Sequence, residues 1–114
     1  MSRKKTTSMS TAQLEAVSRL FAVLSEPSRL ALLQALHNGP LTVNELVQAS
    51  GLKQANVSKQ LALLFDARLV GREREGTSIR YAICDPIVFS LCELVCHKMA
   101  KDTQCAAAIF HPEI

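Results

Sequence analysis

The sequence predicts a mainly α fold with one small β-hairpin, in the order α-α-α-α-β-β-α. Three observations predict it. Apolar residues recur at helical spacing four times before residue 67. Two alternating segments, 69–73 and 78–83, flank the turn sequence Glu75-Gly76-Thr77. The pair Asp85-Pro86 then opens one more apolar helical stretch. A chain of 114 residues, 48% hydrophobic and 20% charged, is enough for one core and too apolar for a disordered chain.

The elements follow in order. Ser10 and Gln13 form an S-x-x-Q capping box, and Leu14, Val17, Leu20, Phe21 and Leu24 carry the first helix over 11–24. Ser25 caps a second helix with Pro27 in its first turn. Leu30, Leu33 and Leu36 form its apolar side, and Asn38-Gly39-Pro40 stops it. Thr42 and Glu45 make a second capping box, ahead of a short helix that buries Val43, Leu46 and Val47. Ser50-Gly51 is the turn into a fourth helix over 53–66. That helix buries Val57, Leu61 and Leu64 and carries Lys53, Gln54, Ser58 and Lys59 on its other face. The hairpin needs a positive φ at its turn, which Gly76 supplies without steric cost. The last helix covers 86–100. Its stripe Ile87, Leu91, Leu94 and Val95 reads as the core face, and the opposite stripe Phe89, Cys92, Cys96 and Met99 as a face for a partner. Two short helices joined by a tight glycine turn, followed by a basic hairpin, make the winged helix-turn-helix layout.

Residues 1–10 read as a flexible basic tail with Arg3, Lys4 and Lys5, which either frays or touches phosphates. Residues 11–100 read as one domain for DNA binding and dimerisation, and 101–114 as a C-terminal tail. The N-terminus lacks the apolar stretch of a signal peptide, and no run of 18 apolar residues offers a membrane span. A cytoplasmic protein with no membrane partner is expected.

Residues 17–83 resemble the ArsR/SmtB family of bacterial winged-helix repressors. Four stretches carry the likeness. Leu24-Ser25-Glu26-Pro27-Ser28-Arg29-Leu30 is similar to the family's L-x-[DE]-P-x-R-L. Leu41-Thr42-Val43-Asn44-Glu45-Leu46 resembles L-x-V-x-E-L. Residues 57–64 resemble the recognition-helix pattern V-S-x-H-L-x-x-L. Leu69-Val70, Arg72, Arg74, Gly76 and Tyr81 resemble the wing. The resemblance implies a homodimer joined through the first and fifth helices. It also implies an inverted-repeat operator and repression relieved by an effector, often a metal ion. The chain departs from the family in having Gln60 for His and Arg68 for Gly. If Arg68 is left-handed, roughly 1 kcal/mol is lost. The third helix lacks the family's C-V-C metal motif, and the fifth lacks its Asp/His zinc pattern, so neither effector carries over.

The formal charge is only +3, so its distribution matters more than its size. From Lys53 to Arg80 there are six Lys or Arg against three acidic residues. Gln54 and Ser58 lie one turn apart at the open start of the fourth helix, where short polar side chains read base edges in a major groove. Gln60 is expected to add a base or phosphate contact. Lys53 and Lys59 suit phosphates, and the hairpin adds Arg72, Arg74, Arg80 and Thr77. Alternation puts Arg72 and Arg74 on one strand face and Glu73 and Glu75 on the other.

All four cysteines, Cys84, Cys92, Cys96 and Cys105, lie in the last third, unlike a disulfide-stapled secreted fold. Cys92 and Cys96 are one helical turn apart. They can share one soft metal or metalloid ion, with Cys105 or Cys84 as a third ligand and His97 or His111 completing a zinc set. Oxidation to a disulfide is another use, and plain burial as small hydrophobes a third. His37 sits at a helix end, and no nucleophile triad or phosphate loop is present, so no enzyme is expected. The reading is a sequence-specific repressor of transcription, homodimeric on double-stranded DNA and released by a soft ion or by thiol oxidation. The alternative is a winged-helix module for protein interaction without an effector site, which would lack salt-dependent DNA affinity.

Overall fold

Helix α1 (Thr11–Leu24) starts on the capping box the sequence predicts. Ser10 Oγ accepts from Gln13 N at 3.1 Å, and Gln13 Oε1 accepts from Ser10 N at 2.8 Å. Helix α2 (Pro27–Ala35) is capped one residue later than expected, by Glu26 rather than Ser25. The Glu26 carboxylate accepts from Ser28 N at 2.8 Å, which suits its charge at a helix start, while Ser25 Oγ donates back to Ala22 O. A 3-10 turn, Leu36–Asn38, tightens the end of α2 before Gly39 at φ 144°. The apolar face of α2 is also rotated. Leu32, Leu33 and Leu36 are buried, and Leu30 is exposed.

Helix α3 (Val43–Ser50) has its capping box in place, Thr42 with Glu45, and ends on Gly51 in the left-handed region at φ 75°. Helix α4 (Gln54–Asp66) follows and buries Val57, Leu61 and Leu64. With Leu46 of α3 and the α2 leucines these residues form the core, which Leu69 and Val70 extend into the sheet. The α4 terminus is a Schellman motif. Leu69 N donates to Leu64 O and Arg68 N to Phe65 O, both at 3.0 Å. The left-handed position of that motif, φ 64°, is held by Arg68, where glycine pays no Cβ cost.

Strand β1 is the two-residue Leu41–Thr42, which the sequence reading did not foresee. It pairs antiparallel with β3 (Ser78–Ile83), and β3 pairs with β2 (Val70–Glu75), giving the order β1-β3-β2. The hairpin turn is the pair Gly76-Thr77, with Gly76 at φ 66°, and Glu75 belongs to the strand.

The computed structural model describes residues 8–110, with side chains through residue 103. The chain divides into two units between Cys84 and Asp85. The sequence reading placed its boundary at 100/101. The second unit is one long helix, α5 (Ile87–Phe110), started by Asp85 Oδ1 accepting from Ile87 N at 3.0 Å. It continues through most of the segment read as a C-terminal tail, because residues 101–110 contain no proline or glycine to stop it. Its expected core stripe is also corrected. Ile87, Leu94 and Val95 are exposed, whereas Val88 is buried and Leu91 and Cys92 are partly covered. A helix apolar on most sides does not fix its own phase. Among the described residues no helix is long and apolar enough to cross a membrane. Arg3, Lys4, Lys5 and His111 lie outside the described residues.

Candidate nucleic-acid interface

The α3–turn–α4 pair and the β2–β3 hairpin place two polar surfaces in the same unit. On α4 the exposed arc holds Gln54, Ala55, Ser58, Lys59 and Ala62, opposite the buried Val57, Leu61 and Leu64. Lys53, also exposed, is the N-cap residue and makes no side-chain cap bond. The first-turn amides of α4 thus have no side-chain acceptor from the cap, an arrangement that favours an anion.

Gln60 does not join this arc, and its expected DNA contact is corrected. It is 6% exposed and faces inward. Its Oε1 accepts from Arg29 Nη1 at 2.8 Å, and its Nε2 donates to Asn56 Oδ1 at 2.8 Å. Arg29 also donates from Nε to Val23 O at 2.6 Å, so one guanidinium joins the end of α1 to the middle of α4. Position 60 falls at i+3 from Val57 and i−4 from Leu64, so the helical period itself places it on the buried side. Residue type alone had suggested the surface. Asn56, partly exposed in the first turn of α4, is a second residue that the sequence reading missed.

The hairpin register sets Arg72 opposite Tyr81 and Arg74 opposite Ile79, while Glu73 faces Arg80 and Glu75 faces Ser78. The arginines thus alternate with the glutamates, as strand geometry requires. Arg72 lies at the base of the wing, its guanidinium carbon 4.1 Å from the centroid of the Phe65 ring at the end of α4. Arg74 and Thr77 are exposed toward the tip, and Arg74 has no ion-pair partner among the described residues. Arg80 is different. Its Nε donates to Glu75 Oε1 at 2.6 Å, and Nη1 lies 3.7 Å from Glu45 Oε1. The hydrogen bond to Glu75 and the charges of Glu75 and Glu45 hold the guanidinium above its ordinary pKa. The pairing offsets the charge of Glu75, leaving Glu73 as the strand carboxylate without an ion pair among the described residues.

Among the described residues, Cys84, Cys92 and Cys96 are in no disulfide. Cys84 is exposed at the end of the sheet, with Sγ 3.2 Å from where a Cβ on Gly71 would stand. Cys92 is half-buried and Cys96 exposed, one turn apart on α5. The Cys105 side chain lies outside the described residues. Among the described residues no group of three or more His, Cys, Asp or Glu comes together to hold a metal.

The core, the helix pair and the three-stranded wing define a winged helix-turn-helix protein. The family of bacterial regulatory proteins described as the arsR family matches residues 26–71, from the α2 cap into β2. The transcriptional regulator NmtR of Mycobacterium tuberculosis is 43% identical over 75 residues, covering 66% of this chain and 62% of NmtR. The crystal structure of AntR, an antimony-specific transcriptional repressor, superposes with a TM-score of 0.71 at 38% identity, over 83% of this chain and 86% of AntR. A homodimeric winged helix-turn-helix DNA-binding domain from Mycobacterium bovis, a possible ArsR-family regulator, superposes at 0.67 with 29% identity, over 88% and 90%. This chain belongs to the ArsR family of regulatory proteins. It spans about three-fifths of the length of the curated relatives it first matches.

Proposed function

We propose that the protein is a sequence-specific DNA-binding repressor of transcription that acts as a homodimer on an inverted-repeat operator. The observation that supports this best is the exposed arc of α4 in the same unit as the wing. In this reading Gln54 and Ser58, both exposed, read base edges, and Lys53, Lys59, Arg72, Arg74 and Thr77 hold the backbone. The second copy is proposed because each unit leaves apolar side chains in water. In α1, Leu14 and Phe21 are 52% and 55% exposed, and in α5 Leu94 and Met99 are 66% and 60% exposed. The M. bovis relative is described as a homodimer.

The effector reading rests on the thiols. Cys92 and Cys96 supply two soft ligands at i, i+4 spacing, with Cys105 or a second copy's cysteine as the third. AntR, a relative, is named for antimony. A soft metal or metalloid ion, or oxidation of the same thiols, would shift the angle between subunits and so the spacing of the two α4 helices. No enzymatic activity is assigned, and the site of action is the cytoplasm.

The test is selection of duplexes from a random pool by the full chain, followed by footprinting. A two-fold-symmetric consensus with half-sites about 34–36 Å apart is the expected result. Enrichment of no sequence would overturn the proposal.

A further inference from the structure

The buried bonds around Gln60 fix the polarity of an exposed residue. Arg29 carries only donors, so the Gln60 atom that meets Nη1 must be the carbonyl oxygen. The Gln60 amide nitrogen therefore faces Asn56, and the Asn56 atom it meets must be the acceptor Oδ1. The usual ambiguity between the two ends of an amide is removed at both residues by one guanidinium. The amide nitrogen of Asn56 is left over. It makes no hydrogen bond among the described residues, and no buried polar side-chain atom of the described residues lacks a partner, so Nδ2 reaches solvent. Asn56 stands in the first turn of α4, at i−3 from the exposed Lys59, and so at one edge of the exposed arc.

The geometry points to Asn56 as a specificity-determining residue that presents a fixed hydrogen-bond donor to the DNA, with Gln60 and Arg29 as the positioning residues that set its polarity. This rests on the DNA-binding reading above. A donor at that place selects a base with an acceptor in the major groove, guanine O6 or N7, thymine O4 or adenine N7. It disfavours a base that offers only a donor there, as cytosine does through N4. The orientation is set before DNA arrives, so no side-chain ordering is required on binding.

Two substitutions invert the polarity by different routes. Asn56→Asp puts an acceptor where the donor was and leaves the Arg29–Gln60 bond alone. Gln60→Glu keeps an acceptor for Arg29 but offers only acceptors to Asn56, whose amide then turns its nitrogen inward and its oxygen outward. Asn56→Ala removes the group. The experiment is the random-pool selection repeated with the wild type and these three full-length variants, alongside a thermal melt of each. The wild type is expected to disfavour cytosine at one position of each half-site, and Asn56→Ala to reduce that discrimination roughly five- to a hundredfold. Asn56→Asp and Gln60→Glu should move the preference at the same position to cytosine or adenine. If Gln60→Glu melts early, Asn56→Asp decides alone.

A consensus from Asn56→Ala identical at every position to the wild type's would overturn the inference and leave the repressor reading standing. A uniform loss of affinity without a change of consensus would also overturn it, by making Asn56 a phosphate contact. A wild type that selects no sequence would overturn the repressor reading and this inference with it.

Discussion

Replacing Arg29 by Ala should cost the fold about 2–4 kcal/mol, and most of that cost should sit in one unpaired amide. Arg29 makes two short charge-assisted bonds, to Val23 O at 2.6 Å and to Gln60 Oε1 at 2.8 Å, and a long one to Ala22 O at 3.4 Å. The Val23 and Ala22 carbonyls lie at the end of α1 beside solvent, so water can replace the donor and about 1 kcal/mol is lost there. Gln60 is 6% exposed, and water replaces its partner poorly. An orphaned acceptor of that kind costs about 1–3 kcal/mol. The assay is urea unfolding at fixed protein concentration, for the wild type, Arg29→Ala, Gln60→Leu and the double variant. Removing the amide as well as its partner should restore roughly 1–2 kcal/mol, so Arg29→Ala/Gln60→Leu should be more stable than Arg29→Ala alone. A double variant at the sum of the two single losses would refute the reasoning, since it would mean that the two side chains act independently.

Three further substitutions carry definite expectations. Arg68→Gly should be neutral or stabilise by up to about 1 kcal/mol, because relief at φ 64° is partly offset by a freer unfolded chain. Arg68→Val should destabilise by more than about 1 kcal/mol, and a chemical melt that ranks Val above Gly would reject the Schellman assignment. Arg72→Ala should lower stability by about 0.5–1 kcal/mol through loss of the Phe65 ring contact, whereas Arg74→Ala should leave the melting curve where it is. Both should weaken DNA binding on every sequence, and equal affinity for either variant removes that arginine from the interface. Cys92→Ser/Cys96→Ser should abolish operator release by arsenite, zinc, copper or peroxide. A wild type that ignores all four, or a variant that still responds as the wild type does, makes the two thiols packing residues.

The parts legible in the sequence are those whose chemistry closes within four residues. The Ser10–Gln13 and Thr42–Glu45 boxes are bonded as expected because donor and acceptor share one helical turn. The hairpin was legible because alternation and Gly76 act locally. Long-range partners were not. Gln60 finds Arg29 at a separation of 31 residues, and Arg80 on β3 finds Glu45 on α3, so a polar residue type suggested exposure where the fold supplied a partner. Strand β1 was missed because two residues, Leu41 and Thr42, are too few to show alternation. The stripe on α5 was placed on the wrong phase because Ile87, Val88, Leu91, Cys92, Leu94 and Val95 surround the helix with apolar side chains. The likeness in residues 24–30 and 57–64 fell on α2 and α4, which the family match over 26–71 includes.

The central claim, that α4 and the wing form a DNA interface, is tested most directly by the salt dependence of binding to a duplex carrying the selected consensus. In the proposed complex Lys53, Lys59, Arg72 and Arg74 hold four phosphates in each of two subunits. At about 0.9 per contact, log K should fall with log salt at a slope near −7. In the Arg74→Ala dimer, two contacts fewer should bring the slope to about −5. A wild-type slope near zero, or one that Arg74→Ala leaves unchanged, would contradict the account.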